Sequence, residues 1–197
     1  MKVVLASKNQ HKLVEMRTIL GQLGLEVVLE SEAGVDVDVE ETGTTFAENA
    51  LLKAKAVCEA SGMAAIADDS GLMVDALNGA PGVYSARYGG KDSDAARTAF
   101  LLENMAQVPE EQRTARFVSA IACALPDGSV VTAEGVCEGT ILFETRGDNG
   151  FGYDPVFYVP SLGKTFAEAD GAEKNAISHR GNAVQNFLIE WKEAGLC

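Results

Sequence analysis

The chain opens on four apolar residues in a row, Val3-Val4-Leu5-Ala6. A short run without polar alternation predicts a buried strand. After Ser7-Lys8-Asn9 the period changes. Leu13, Met16, Ile19, Leu20 and Leu23 recur at threes and fours, the spacing of one apolar helix face. Gly24 ends that helix, and Leu25-Glu26-Val27-Val28-Leu29 predicts a second strand. Strand, helix, strand is the opening of an α/β protein with a parallel strand pair.

Residues 30–43 are acidic and irregular. Thr45-Phe46-Ala47-Glu48 then has Thr followed three positions later by Glu, the spacing of a capping box. The helix it starts carries Phe46, Ala50, Leu51, Ala54, Val57 and Cys58 on one side, and Gly62 stops it. Ala64-Ala65-Ile66-Ala67 predicts a strand of small residues that ends at Asp68-Asp69-Ser70-Gly71, with Leu72-Met73-Val74 as another short strand. Asn78-Gly79-Ala80-Pro81-Gly82 reads as a loop, and Asp92-Ser93-Asp94 as the cap of a helix reaching Met105. Strands over 114–125 and 129–137 flank Pro126-Asp127-Gly128, a hairpin turn. Gly147-Asp148-Asn149-Gly150 is a loop, and Ala183, Val184, Phe187, Leu188 and Trp191 form the face of a last helix. No repeat and no linker interrupts the pattern. A parallel opening joined to an antiparallel hairpin predicts a mixed sheet in a single α/β domain over 1–197.

The 197 residues can bury a sizeable core. Lys and Arg number 16 against 29 Asp and Glu, a net charge of −13. That balance argues against nucleic acid or an anionic membrane as partner, both of which need a basic face. It leaves room for a small anion held by a local cluster of Lys and Arg. Cys58, Cys123, Cys137 and Cys197 form no CxxC pair, and there are two histidines. Structural zinc and a disulfide framework are therefore not expected, and the cysteines read as reduced thiols. The apolar run at the start is too short for a signal peptide, and no stretch approaches the roughly 18 apolar residues of a membrane span. The expectation is a cytoplasmic protein.

Four segments carry candidate chemistry. Ser7-Lys8-Asn9-Gln10-His11-Lys12 leaves a strand and opens a helix, where backbone N–H groups and the helix dipole favour an anion such as phosphate. It lacks the Walker A pattern, and an ordinary capped helix start has the same composition. Asp68-Asp69-Ser70-Gly71 stands at a strand end, where ligands bind in open α/β sheets. Two adjacent carboxylates invite a shared cation, and Mg²⁺ takes carboxylates together with substrate phosphates. Glu40-Glu41 is a second pair that could share the ion, while a solvated Asp-Ser-Gly turn is the plain alternative. Phe151-Gly152-Tyr153-Asp154-Pro155 offers aromatic faces to stack on a base and a carboxylate to accept from it, or else core aromatics at a strand entry. Lys174-Asn175-Ala176-Ile177-Ser178-His179-Arg180-Gly181 gathers cations where a helix begins, an unfavourable place without an anion. Lys53 is placed to join them; a salt-bridged surface is the alternative. Taken together, the four describe a site for a Mg-nucleotide.

The sequence resembles the inosine triphosphate pyrophosphatase family, most closely its bacterial dITP/XTP branch, over essentially the whole chain. The resemblance rests on Ser7-x-Asn9-x-x-Lys12, Glu40-Glu41-Thr42-Gly43, the stretch from Ala67 to Leu72, the stretch from Gly79 to Arg87, Gly150 to Pro155, and Glu173-Lys174-x-Ala176-x-Ser178-His179-Arg180-Gly181, all in the same order. Lys8 stands where the family often has Gly. The resemblance implies hydrolysis of a non-canonical purine nucleoside triphosphate to the monophosphate and pyrophosphate. It implies an elongated mixed sheet flanked by helices, two lobes around a deep substrate cleft, and a homodimer. It assigns Ser7, Asn9 and Lys12 to the triphosphate with Lys53 assisting, and Lys8, Gln10 and His11 of the same turn to substrate binding. Mg²⁺ falls to Glu41 and Asp69, with Glu40 and Asp68 as further candidates. Asp69 is the base that activates water, and Ser70 touches the substrate. Phe151, Gly152, Tyr153 and Asp154 form the base pocket, read further by Lys174, His179 and Arg180. Two other functions fit the same residues: a pyrophosphatase for another modified nucleotide, and a Mg-nucleotide sensor without turnover.

Overall fold

A computed structural model describes residues 2–21 and 24–196. Leu23, expected on the first helix face, and Cys197 lie outside the described residues. Among the described residues seven strands and five α-helices follow in the order β1 (Lys2–Ala6), α1 (Gln10–Gly21), β2 (Glu26–Leu29), α2 (Phe46–Ser61), β3 (Ala65–Val74), α3 (Asp94–Asn104), β4 (Thr114–Ala124), β5 (Val130–Ile141), β6 (Phe157–Val159), β7 (Lys164–Thr165), α4 (Gly171–Ile177) and α5 (His179–Glu193). The strands form one sheet in the order β2-β1-β3-β4-β5-β6-β7. β1 runs parallel to β2 and β3, and β6 runs antiparallel to β5 and β7. The sheet is mixed, as the pattern predicts.

Local chemistry explains the boundaries. Thr45 caps α2 and completes the capping box with Glu48, and Gly62 closes the helix at a φ of 66°. Ser93 caps α3, which makes Asp94 the first helical residue. The β4–β5 turn closes through the Gly128 N–H on the Leu125 carbonyl at 2.9 Å.

The structure differs from the pattern in three places. β3 is one ten-residue strand that runs through Asp68-Asp69-Ser70-Gly71, where a strand end was expected. β5 continues past Cys137 to Ile141, because Cys137 and Ile141 are buried on one face and Gly139 admits close neighbours. The final basic segment holds two helices, with Ser178 in extended backbone between α4 and α5.

By its contacts the chain divides into two compact units: Met1–Asp69 with Ser119–Gly135 and His179–Cys197, and Ser70–Val118 with Val136–Ser178. In the first, Val3 and Leu5 of β1, Leu13, Met16 and Leu20 of α1, and Val184, Phe187 and Trp191 of α5 share a core. In the second, Leu72 and Val74 pack with Leu101, Phe117, Phe157 and Phe166. Cys58, Cys123 and Cys137 are buried free thiols. Among the described residues no helix is long and apolar enough to cross a membrane.

Candidate active site

In the first unit the turn between β1 and α1 caps itself. The Asn9 side chain accepts from the His11 N–H at 3.0 Å and the Lys12 N–H at 3.2 Å, and Ser7 Oγ accepts from the Asn9 N–H at 3.3 Å. Two of the amides expected to face an anion are thus already satisfied by an Asn at the helix start. Lys8 is exposed and paired with Asp36 at 3.1 Å and Asp38 at 3.5 Å of the acidic loop. Gln10 and His11 are exposed. Lys12 turns inward and reaches Asp68 Oδ2 at 3.0 Å.

The two aspartates of β3 lead separate lives. Successive strand residues point to opposite faces, so these carboxylates do not compete for one cation. Asp68 is 2% exposed. It accepts from the Ser119 hydroxyl and pairs with Lys12 and, at 3.4 Å, with Arg180. Burial opposes its charge, but Arg180 and Lys12 hold its carboxyl well below the usual carboxylate range. Arg180, 1% exposed, pairs also with Glu15. The anion that the basic helix start meets is therefore the protein's own carboxylates. Asp69 faces Lys53 instead. Lys53 Nζ donates to Asp69 Oδ1 at 2.9 Å, Glu41 Oε1 at 3.0 Å and the Asp68 carbonyl at 3.1 Å. Burial raises the Asp69 carboxyl above its ordinary value, against the pull of Lys53 and Lys12. A buried carboxylate of raised basicity suits a general base.

The donor set fits a hard divalent ion in part. Glu41 and Asp69 already converge on one positive charge, the Lys53 ammonium, and Mg²⁺ is held by one or two carboxylates with substrate oxygens completing its shell. Asp68 does not fit, because Ser119, Lys12 and Arg180 occupy its oxygens. Glu40 is exposed in the acidic loop. Among the described residues no three acidic, His or Cys side chains cluster as a ready-made metal cage.

Two local devices position these groups. The Gly43 N–H donates to buried Asn49 of α2 at 2.8 Å, which fixes the loop just after Glu41. Gly135 lets α5 lie on β5: a Cβ there would stand 2.1 Å from the Ala183 nitrogen and 2.3 Å from the His179 carbonyl oxygen. His179 and Arg180 occupy the first turn of α5 and are buried.

In the second unit the aromatic loop is built around a buried ion pair. Lys174 Nζ meets Asp154 Oδ2 at 2.7 Å, with both side chains buried. The Phe151 N–H donates to the same oxygen at 3.0 Å, and the ammonium lies 4.7 Å from the centre of the Phe151 ring. Gly150, at a φ of 75°, keeps this turn open; a Cβ would stand 2.1 Å from Asp154 Oδ2. Tyr153 is buried, and its hydroxyl donates to the Ser85 carbonyl at 2.7 Å. Ser70 opens this unit within β3 and is half-buried.

The model of the Ham1 family matches residues 3–190. The chain belongs to the Ham1 family. A dITP/XTP pyrophosphatase of Exiguobacterium sibiricum is 52% identical over 188 residues, 95% of each chain. The structure of a HAM1 protein from Coxiella burnetii is 46% identical, with a TM-score of 0.88 over 98% of this chain and 99% of that one. The Staphylococcus aureus Ham1 protein is 43% identical, with a TM-score of 0.87 over the whole of both.

Within this Ham1-family chain the structure brings Lys12, Asp68 and Arg180 together, and separately Glu41, Lys53 and Asp69. It joins Phe151, Asp154 and Lys174. Lys8 and Glu40 remain at the surface. Sequence reasoning missed Ser119, Glu15 and Asn49. A signal existed for Ser119, a lone hydroxyl inside the apolar run Phe117-Val118-Ser119-Ala120-Ile121. Glu15, between Leu13 and Met16, is a charge beside an apolar stripe.

Proposed function

We propose that this chain hydrolyses non-canonical purine nucleoside triphosphates, dITP/ITP and XTP/dXTP, to the monophosphate and pyrophosphate. It clears deaminated purines from the nucleotide pool as one pyrophosphatase domain over 1–197, cytoplasmic and homodimeric. The observation that carries the reading is the convergence of Glu41 and Asp69 on a single positive charge, with the Asp69 carboxyl raised by burial.

Asp69 takes the proton of the attacking water. A carboxylate more basic than usual is better matched to that transfer near neutral pH. Glu41 and Asp69 hold Mg²⁺, which when bound supplies positive charge to the triphosphate oxygens. Lys53 keeps these two carboxylates together. Ser7, Asn9 and Lys12 serve the triphosphate, Lys8, Gln10 and His11 of the same turn bind the substrate, and Ser70 touches it beside Asp69. A triphosphate carries about four negative charges at neutral pH, so a protein of net charge −13 must neutralise them locally. Cys123 and Cys137 are poor nucleophiles: both are buried, and their thiols are pushed up to about 12 and about 11. Direct attack by water is the simpler route.

Phe151 stacks on the base, and Gly152, Tyr153, Asp154, Lys174, His179 and Arg180 shape its surroundings. Hypoxanthine and xanthine present a 6-oxo acceptor where adenine presents an amino donor. A donor-lined edge leaves adenine mismatched, a penalty that reaches about 10⁴-fold.

The test compares the wild-type chain with Asp69→Asn on dITP, XTP, dATP, dGTP and dTTP. The reading expects metal-dependent cleavage of dITP and XTP, near-silence on the others, and loss of turnover in the variant with its melting curve kept. Substantial turnover by Asp69→Asn would remove Asp69 as the base. Preference for another nucleotide would reassign the substrate, and tight binding without turnover would make the protein a sensor.

A further inference from the structure

The peptide of Gly152 is gripped from both ends by α3. Its N–H donates to Asp94 Oδ2 at 2.7 Å, and its carbonyl accepts from the Thr98 hydroxyl at 3.3 Å. Asp94 and Thr98 are four residues apart, one helical turn, and so share a face of α3. Thr98 is buried, and Asp94 is half-buried with its other oxygen paired to Arg97. On one side of this peptide the Phe151 N–H is tied to Asp154. On the other, Tyr153 is tied to Ser85, whose hydroxyl accepts from the Leu72 N–H at 3.0 Å and donates to the Gly82 carbonyl at 2.6 Å. Three consecutive residues are thus anchored to four different partners.

The Asp94 bond is the charge-assisted one, and such bonds are about twice as strong as neutral ones. It commits the Gly152 amide to the protein, so that amide is not the donor that reads a base. The Phe151 ring, which lies 4.7 Å from the Lys174 ammonium, is the side chain of this stretch that the reading above puts on the base, and the peptides on both sides of it are fixed. A ring held in one orientation loses little freedom when a flat ligand stacks on it.

We propose that Asp94 and Thr98 are positioning residues for base recognition. By fixing the Gly152 peptide they preset the Phe151 ring for the purine. This rests on the reading above that Phe151 stacks on the base. The grip acts on binding of the base in ground and transition states alike, so it belongs in KM and in product affinity and leaves kcat alone.

The test uses Asp94→Ala, Asp94→Asn and Thr98→Val in the full chain. Three quantities are read: dIMP affinity by calorimetry, dITP kinetics, and hydrogen exchange of the Gly152 amide by NMR. Asp94→Ala should weaken dIMP and raise KM about tenfold, with kcat within about twofold and the Gly152 amide exposed to exchange. Asp94→Asn keeps an acceptor oxygen without the charge and should fall between wild type and Asp94→Ala. Thr98→Val should raise KM about threefold, and it carries the test if Asp94→Ala fails to fold. Unchanged dIMP affinity and KM despite rapid Gly152 exchange would overturn the proposal. So would a loss confined to kcat, or an Asp94→Asn as impaired as Asp94→Ala. A wild-type chain that binds dIMP but leaves dITP uncut would instead overturn the assignment of Asp69, and the dIMP affinities would still decide the role of Asp94. A wild-type chain that does not bind dIMP would overturn both.

Discussion

Asp68 and Asp69 are neighbours in sequence and differ in everything else. Asp68 is sealed among Ser119, Lys12 and Arg180, while Asp69 faces Lys53 and Glu41. Removing one member of a buried ion cluster leaves the others uncompensated, a loss of roughly 3–5 kcal/mol. Asp68→Asn should therefore lower the melting temperature markedly, with Arg180 still supported by Glu15. The sign of its pH dependence follows from the depressed carboxyl. Asp68 stays charged in the fold at pH values where the unfolded chain, with an ordinary value of 3.8, takes up a proton. Its contribution is full above about pH 4 and is lost as pH falls below that. The gap in melting temperature between wild type and Asp68→Asn should be constant from pH 8 to pH 5 and narrow below about pH 4; a gap that widens in acid contradicts the account. Asp68 and Asp69 stand out in the sequence as two adjacent charges after an apolar run. Their partners do not: nothing local says that Asp68 meets a residue 112 positions away.

At the level of elements, patterns of three to four and capping boxes located α1, α2, α3 and α5 well. β3 was harder. Asp-Asp-Ser-Gly carries turn chemistry, and only the cations waiting on each face allow it to continue as a strand. β6 and β7 have three and two residues, too few for a periodic signal. Close approach is equally silent in sequence, since a strand glycine looks the same whether or not a helix lies on it. Gly135→Ala would drive its new carbon into the backbone of α5. Overpacking of this kind destabilises by about 1–3 kcal/mol, and more where backbone has to move. A lowered melting temperature, as α5 carries Arg180 away from Asp68, is the expected result. A Gly135→Ala protein with unchanged stability would show that α5 does not rest on β5.

For the whole molecule, the mixed sheet could be read from a parallel opening joined to a hairpin. The order β2-β1-β3-β4-β5-β6-β7 could not, because strand pairing is a long-range choice that local periodicity does not encode. Nor did the pattern reveal that apolar residues sort into separate cores, Met16 and Phe187 in one, Leu101 and Phe166 in another. Burial in these cores governs the thiols. Cys123 and Cys137 have values near 12 and 11, so at pH 8 almost no thiolate exists at either. Mass mapping after alkylation at pH 8 should find Cys58, Cys123 and Cys137 unmodified in the native protein and modified after unfolding. Rapid native labelling at Cys123 would contradict the packing. Which bond is cut decides the reaction, and ³¹P-resolved product analysis of dITP incubated with and without Mg²⁺ reads it. The account predicts dIMP and pyrophosphate in equal amounts, dependent on the metal. Formation of dIDP and orthophosphate would contradict it.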